Sequence, residues 1–142
     1  MTVKTVPALF PGCSKPVQVL AHRAARHDFS TWEECWIPRM VNAVGAGSVV
    51  FDVGAEQGEF GALAATLGAE VHLFEPSTTS WPAIKAVFDA NNVVPSGAFH
   101  GFAAAAGYPG GRDLALWPEA AGGKVREEVD FYVLHERPDI RQ

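Results

Sequence analysis

The chain has 142 residues, which is long enough for one domain with its own core. Its residues are 48% hydrophobic and 19% charged, a composition that is typical of globular domains. The formal net charge of -5 at pH 7 argues against a general nucleic-acid binder, which needs a basic surface. No apolar stretch approaches the roughly 20 residues that cross a bilayer, so we expect a cytoplasmic protein with neither a nucleic-acid nor a membrane partner.

Residues 1–29 show little periodicity, because prolines and a glycine interrupt them at positions 7, 11, 12 and 16. We predict an irregular N-terminal arm with one short helix at most, followed by a folded domain over residues 30–142. Ser30 and Glu33 have the spacing of a helix capping box. Pro38 is typical of the first turn of a second helix, which Gly45 should end.

Residues 48–53 (SVVFDV) are short, β-branched and almost continuously apolar, which is typical of a parallel strand buried on both faces. The pattern then predicts a glycine turn at 54–58, a helix at 60–67, a strand at 70–74, a helix at 81–90 capped by Ser80, and a strand at 98–103. Residues 128–134 have the pattern of one further strand. We therefore predict an α/β fold, a Rossmann-like three-layer sandwich with a mostly parallel sheet, truncated after its third to fifth strand.

The turn after the first strand has the pattern of a ligand site. Gly54 allows a sharp turn and close approach of a ligand to the backbone, and Gly58 opens a helix whose free N–H groups face the same space. Asp52 lies at the carboxyl end of the strand, where ligands bind in open α/β sheets. Glu75 ends the next strand, at the position where an acid accepts hydrogen bonds from the hydroxyls of an adenosine ribose.

The glycine spacing argues against a nicotinamide dinucleotide. The G-x-G-x-x-G fingerprint counted from Gly54 places Glu56 and Glu59 where glycines should stand, and carboxylates there repel a pyrophosphate. An acidic turn suits a cation such as S-adenosylmethionine. Glu59 itself we interpret as a solvated acid in the first helical turn. Trp81 has two interpretations, an adenine-stacking ring or a ring packed at a helix start.

The runs VFDVGAEQGEF (50–60) and VHLFEPS (71–77) resemble the FkbM-type group of class I S-adenosylmethionine-dependent methyltransferases over about residues 48–105. The tryptophan-rich segment 32–36 resembles phage-encoded members of this methyltransferase group. One departure is Glu56, because the family usually has asparagine there. A second departure is that nothing after His135 matches the family's fourth-strand motif.

The resemblance implies which residues contact the methyl donor. It implies donor contacts at Asp52, Gly54, Ala55 and Gly58, with Glu56 beside the amino group. It further implies ribose contacts at Glu75, followed by Pro76, and an adenine edge at Phe102 and Ala103. The implied reaction is O-methylation of a hydroxyl on a small molecule or a carbohydrate.

Three functions follow as hypotheses. The first is an S-adenosylmethionine-dependent methyltransferase that is completed by a partner chain or by self-association. The second is a catalytically inactive or split cofactor-binding half that acts as an accessory chain, and the third is an NAD(P)-dependent oxidoreductase. The two cysteines and five histidines lack metal-ligand spacing, so we predict reduced thiols and no metal site. The sequence does not identify a general base.

Overall fold

The structure is a computed structural model, and it describes residues 3–99. Its elements in chain order are β1 (Thr5–Ala8), β2 (Val17–Leu20), α1 (Ala21–Ala24), α2 (Ile37–Ala43), β3 (Val49–Val53), α3 (Glu59–Thr66), β4 (Glu70–Phe74), α4 (Trp81–Ala90) and β5 (Gly97–Phe99). Within these residues, no helix is long and apolar enough to cross a membrane.

Strands β3, β4 and β5 form a three-stranded parallel sheet in that order, in which Val53 pairs with Phe74 and Phe74 with Phe99. Each consecutive pair of strands is joined by a helix, α3 and then α4. The prediction of a mixed α/β fold with a parallel sheet is therefore confirmed. The bounds of β4 and α4 match the sequence prediction, whereas β3 begins one residue later than predicted and α3 begins and ends one residue earlier.

Helices α3 and α4 pack on one face of the sheet. Leu73 of β4 is fully buried there beside Phe88 of α4 and the backbone of Gly61 in α3. A Cβ at Gly61 would lie 2.6 Å from Leu73 Cδ2 and 3.2 Å from Phe88 Cζ. A glycine at this position therefore lets α3 approach the sheet closely.

The other face of β3 differs from the prediction of a strand buried on both sides. Val49, Phe51 and Val53 keep 51%, 50% and 52% of their surface exposed. They alternate with Val50 and Asp52, which face the helices. The apolar composition of β3 was interpreted as two-sided burial, but both described crossover helices lie on the same side.

Residues 5–20 form an antiparallel hairpin of β1 and β2 in place of the irregular arm that the sequence suggested. Val17, Val19 and Leu20 of β2 are buried in the same core as α3 and α4. The Asn91 side chain joins the hairpin to the end of α4, because its amide donates to Gln18 O and its Oδ1 accepts from Gln18 N. Each strand has only four residues, and Pro7 interrupts β1, so the alternation of apolar residues is too short to predict a strand from the sequence.

The capping box predicted at Ser30 and Glu33 does not form. The N–H and hydroxyl of Ser30 both donate to Asp28 Oδ1, and Glu33 accepts from Trp36 Nε1. The helix begins later, at Ile37, with Pro38 in its first turn. Rings from this segment instead pack on α3, where Phe60 stacks between Trp32 and Trp36 with centroids 4.6 and 4.7 Å away.

Candidate cofactor site

Residues 54–58, the glycine loop, join the carboxyl end of β3 to the start of α3. Three of its residues have left-handed backbone conformations, with φ of 73° at Gly54, 53° at Glu56 and 81° at Gly58. The N–H groups of Gly54 and Ala55 both donate to Phe74 O at the end of β4, over 2.7 and 3.1 Å. The loop is therefore bound to the tip of the neighbouring strand.

The two glycines of the loop have different surroundings. Among residues 3–99, a Cβ added at Gly54 would meet no atom within 4 Å, so the described part of the chain leaves the space beside this backbone open to a ligand. A Cβ at Gly58 would lie 3.1 Å from Ile84 Cγ2 of α4. Gly58 is buried, and its requirement is explained by backbone conformation and helix packing.

Asp52 lies on the helix-facing side of β3. Its Oδ2 accepts a hydrogen bond from Gly61 N of α3 over 2.9 Å. Burial, opposed by this hydrogen bond and reinforced by the nearby Glu59 and Glu75 carboxylates, raises the pKa of Asp52 to about 6 from its usual 3.8. Near neutral pH this carboxyl is therefore close to its own titration, and a cation nearby would favour its charged form.

Glu75 follows β4 directly and is only 6% exposed. Its Oε2 accepts from Glu56 N over 2.8 Å, and its Oε1 accepts from Ser77 N over 2.7 Å. Its own N–H donates to Phe99 O of β5, which fixes the backbone at the sheet end. Each carboxylate oxygen retains a second lone pair, so the group can still accept a ligand hydroxyl.

Glu59 was interpreted from the sequence as a solvated acid, and this interpretation is wrong. The residue is 2% exposed, and its Oε1 accepts from Arg23 Nε over 2.8 Å. Arg23 also lies 3.6 Å from Glu56 Oε2, whose side chain is 69% exposed. Sequence reasoning missed Arg23, because its partners are distant in sequence and only the fold of the N-terminal hairpin brings α1 to the glycine loop.

The structure favours one of the two interpretations of Trp81. The residue is 2% exposed, and its Nε1 donates to Glu75 O over 3.1 Å. Trp81 is therefore a packed ring that supports the backbone of Glu75. Pro76, the next residue after Glu75, is exposed. Phe102 and Ala103, where the adenine edge was expected, lie outside the described residues.

S-adenosylmethionine is the cofactor that the resemblance implies, and the described residues fit it. Glu75 has spare acceptor positions for ribose hydroxyls, and the open space at Gly54 leaves room for a ligand on the backbone. The donor carries an ammonium and a sulfonium, and Glu56 presents an exposed carboxylate on the same loop. Within residues 3–99 no group of His, Cys, Asp or Glu side chains could hold a metal ion.

The chain was compared with protein-family models and with curated proteins, and neither comparison gave a match. The fold class is therefore supported by the described sheet and helices themselves. The assignment to a particular family depends on the sequence resemblance alone.

Proposed function

We propose that this protein binds S-adenosylmethionine at the carboxyl ends of β3 and β4 and is a cytoplasmic methyltransferase that acts on a hydroxyl of a small molecule or a carbohydrate. The observation that carries the proposal is the hydrogen bond from Glu56 N to Glu75 Oε2. It places the acid that follows β4 directly beside the acidic glycine loop that follows β3.

The charges of this site favour a cationic nucleoside over a dinucleotide. Asp52, Glu56, Glu59 and Glu75 surround the loop, and Arg23 is the cation that pairs with two of them. A pyrophosphate would meet the exposed carboxylate of Glu56 where a dinucleotide fold presents a glycine. Glu75, whose carboxylate is held by amides, and the exposed carboxylate of Glu56 are the groups that would attract the ammonium and sulfonium of the methyl donor.

Glu75 and the backbone at Gly54 would hold and align the donor, which would supply its methyl group to an acceptor hydroxyl oxygen. The methyl–sulfur bond would break, S-adenosylhomocysteine would leave, and the hydroxyl proton would be released to water. The alternative within the same site is an accessory chain that binds the donor without turnover. An exposed apolar strand face at β3 favours a fold that is completed by further chain, either its own or a partner's.

Isothermal titration calorimetry of the full chain with S-adenosylhomocysteine and with NAD tests the proposal. We expect the first compound to bind and the second not to. Binding of NAD alone would support the oxidoreductase hypothesis, and binding of neither compound would exclude the proposed cofactor site. A turnover assay that detects S-adenosylhomocysteine formed from S-adenosylmethionine, with a panel of sugars and alcohols, then separates the enzyme from the accessory chain.

Substitution of Glu75 tests which residue carries the ribose contact. We expect Glu75→Ala to weaken S-adenosylhomocysteine binding by about 1–3 kcal/mol, because charge-assisted hydrogen bonds are lost. Glu70→Ala, at the other end of the same strand, is the matched control and should leave affinity unchanged. Urea unfolding of both variants separates a loss of contact from a loss of folding, and unchanged affinity in folded Glu75→Ala would exclude Glu75 from the site.

A further inference from the structure

Arg23 of α1 brings a guanidinium to the glycine loop and the start of α3. Its side chain is 16% exposed, and its Nε donates to the buried Glu59 over 2.8 Å. Its Nη2 lies 3.6 Å from Glu56 Oε2, which is an ion-pair distance but too long for a hydrogen bond. The guanidinium is therefore anchored through Nε, and its Nη2 lies beside the exposed carboxylate of the loop.

The contacts of Arg23 leave part of its donor capacity unused. A guanidinium carries more N–H donors than one carboxylate accepts, and it holds them in a fixed planar arrangement. Glu59 accepts from Nε, and Nη1 makes a long contact of 3.4 Å with His27 Nε2 at the exposed side of the group. Within residues 3–99, Nη2 makes no hydrogen bond. The N–H groups of Nη2 can therefore donate to a ligand.

Arg23 and Glu56 present opposite charges side by side, which is the complement of a zwitterion. The methionine part of S-adenosylmethionine is a zwitterion, with an ammonium and a carboxylate attached to the same carbon atom. A ligand that places its ammonium at Glu56 therefore places its carboxylate beside that residue, where a second negative charge needs a cation. A guanidinium suits this role, because it binds carboxylates through charge-assisted hydrogen bonds of defined geometry.

The ion pair with Glu59 orders the guanidinium before a ligand binds. Glu59 is 2% exposed and is the first residue of α3, so the fold fixes the position of its carboxylate. An arginine that is already ordered loses little side-chain entropy on binding. The contact between Arg23 and Glu56 is long, and the Glu56 side chain is 69% exposed, so this contact contributes little to stability. The two charges of a zwitterion can therefore replace it at low cost.

We propose that Arg23 binds the carboxylate of the methionine part of the methyl donor, while Glu56 binds its ammonium. This inference rests on the proposed S-adenosylmethionine site and names a further residue that determines its specificity. The site then selects nucleosides that carry an amino acid, and a nucleoside that lacks the carboxylate binds more weakly. Because Arg23 lies in α1, directly after the β1–β2 hairpin, the N-terminal segment forms part of the cofactor site.

Calorimetry of the unsubstituted full chain with two ligands tests the carboxylate contact. The ligands are S-adenosylhomocysteine and its decarboxylated form, which keeps the adenosine, the sulfur and the amine. We expect S-adenosylhomocysteine to bind at least about tenfold more tightly, because only it can accept from Arg23. Equal or tighter binding of the decarboxylated form would overturn the role of Arg23 and leave the proposed donor site in place. Binding of neither compound would overturn the proposed function, and the role of Arg23 with it.

A double variant tests whether Arg23 is the residue responsible. Arg23→Gln combined with Glu59→Gln removes the guanidinium without leaving a buried unpaired carboxylate, and it keeps the net charge. We expect the preference for S-adenosylhomocysteine over its decarboxylated form to fall at least about tenfold. A merely structural role would weaken both ligands equally, so an unchanged preference would overturn the proposal. Arg26→Gln, at an exposed arginine nearby, is the matched control and should keep the preference.

Discussion

Two buried glutamates lie beside the glycine loop, and they differ in their partners. Glu59, at the start of α3, is paired with Arg23. Glu75, which follows β4, accepts backbone N–H groups from Glu56 and Ser77. A carboxylate neutralised by a cationic side chain has its charge satisfied within the fold. A carboxylate held by amides keeps its full charge and spare lone pairs, and it is therefore the better candidate for a ligand contact.

The largest expected effect comes from breaking the ion pair at the helix end. Arg23→Met should destabilise the protein by about 3–5 kcal/mol, because it leaves Glu59 as an unpaired buried charge. Urea unfolding measures the loss, and Arg26→Met at an exposed arginine nearby is the control. The double variant Arg23→Met with Glu59→Met should recover most of the stability. A loss below about 1 kcal/mol in the single variant would place Glu59 in solvent after all.

A pH experiment sharpens the comparison at Asp52. Because the folded chain holds this proton with a pKa of about 6 and the unfolded chain with its usual 3.8, folding takes up a proton between these values. The contribution of Asp52 to stability is therefore complete below about pH 4, and it is lost as pH rises to about 6. Asp52→Asn removes this dependence while keeping an oxygen that can accept from Gly61.

Urea unfolding over a pH series checks this prediction. The stability of Asp52→Asn relative to the unsubstituted chain should rise by about 2–3 kcal/mol between pH 4 and pH 7. Asp89→Asn, at an exposed acid in α4, is the control and should show no comparable rise. A constant difference across the series would contradict a raised pKa at Asp52.

The two glycines separate the packed end of the loop from the open end. Gly58→Ala should lose about 2–3 kcal/mol, because a left-handed alanine is strained and its Cβ meets Ile84. Gly54→Ala should lose about 1 kcal/mol, from backbone strain alone. Calorimetry with S-adenosylhomocysteine should show weaker binding to folded Gly54→Ala, because the added methyl occupies the open space. Undiminished affinity would place the ligand elsewhere.

The smallest expected effect is at Glu56, which has a left-handed backbone conformation. Glu56→Asn should stabilise the protein by about 0.5–1 kcal/mol, because asparagine tolerates this conformation better than glutamate does. Glu56→Gln removes the same charge without that backbone preference and is the matched control. Thermal unfolding distinguishes them, and equal midpoints would mean that the conformation costs nothing here.

Local patterns in the sequence predicted the central elements well. The run 48–53 is almost continuously apolar, residues 70–74 lie between Gly68 and Pro76, and residues 81–90 have a helical apolar stripe. These features depend on neighbours along the chain, so they can be recognised without a fold. The hairpin of β1 and β2 was missed for the converse reason, since four-residue strands carry too little periodicity.

The sequence by itself determined a strand–helix–strand–helix–strand unit and placed Asp52, Gly54 and Glu75 at the ends of its strands, because periodicity and turn residues are local properties. Only the tertiary structure decided that Glu59 is buried against Arg23, that Trp81 supports the Glu75 backbone, and that Gly58 is required by Ile84. It also decided that one face of β3 is exposed. Each of these depends on which elements pack together in space, and the burial and charge pairing of a side chain follow from that packing.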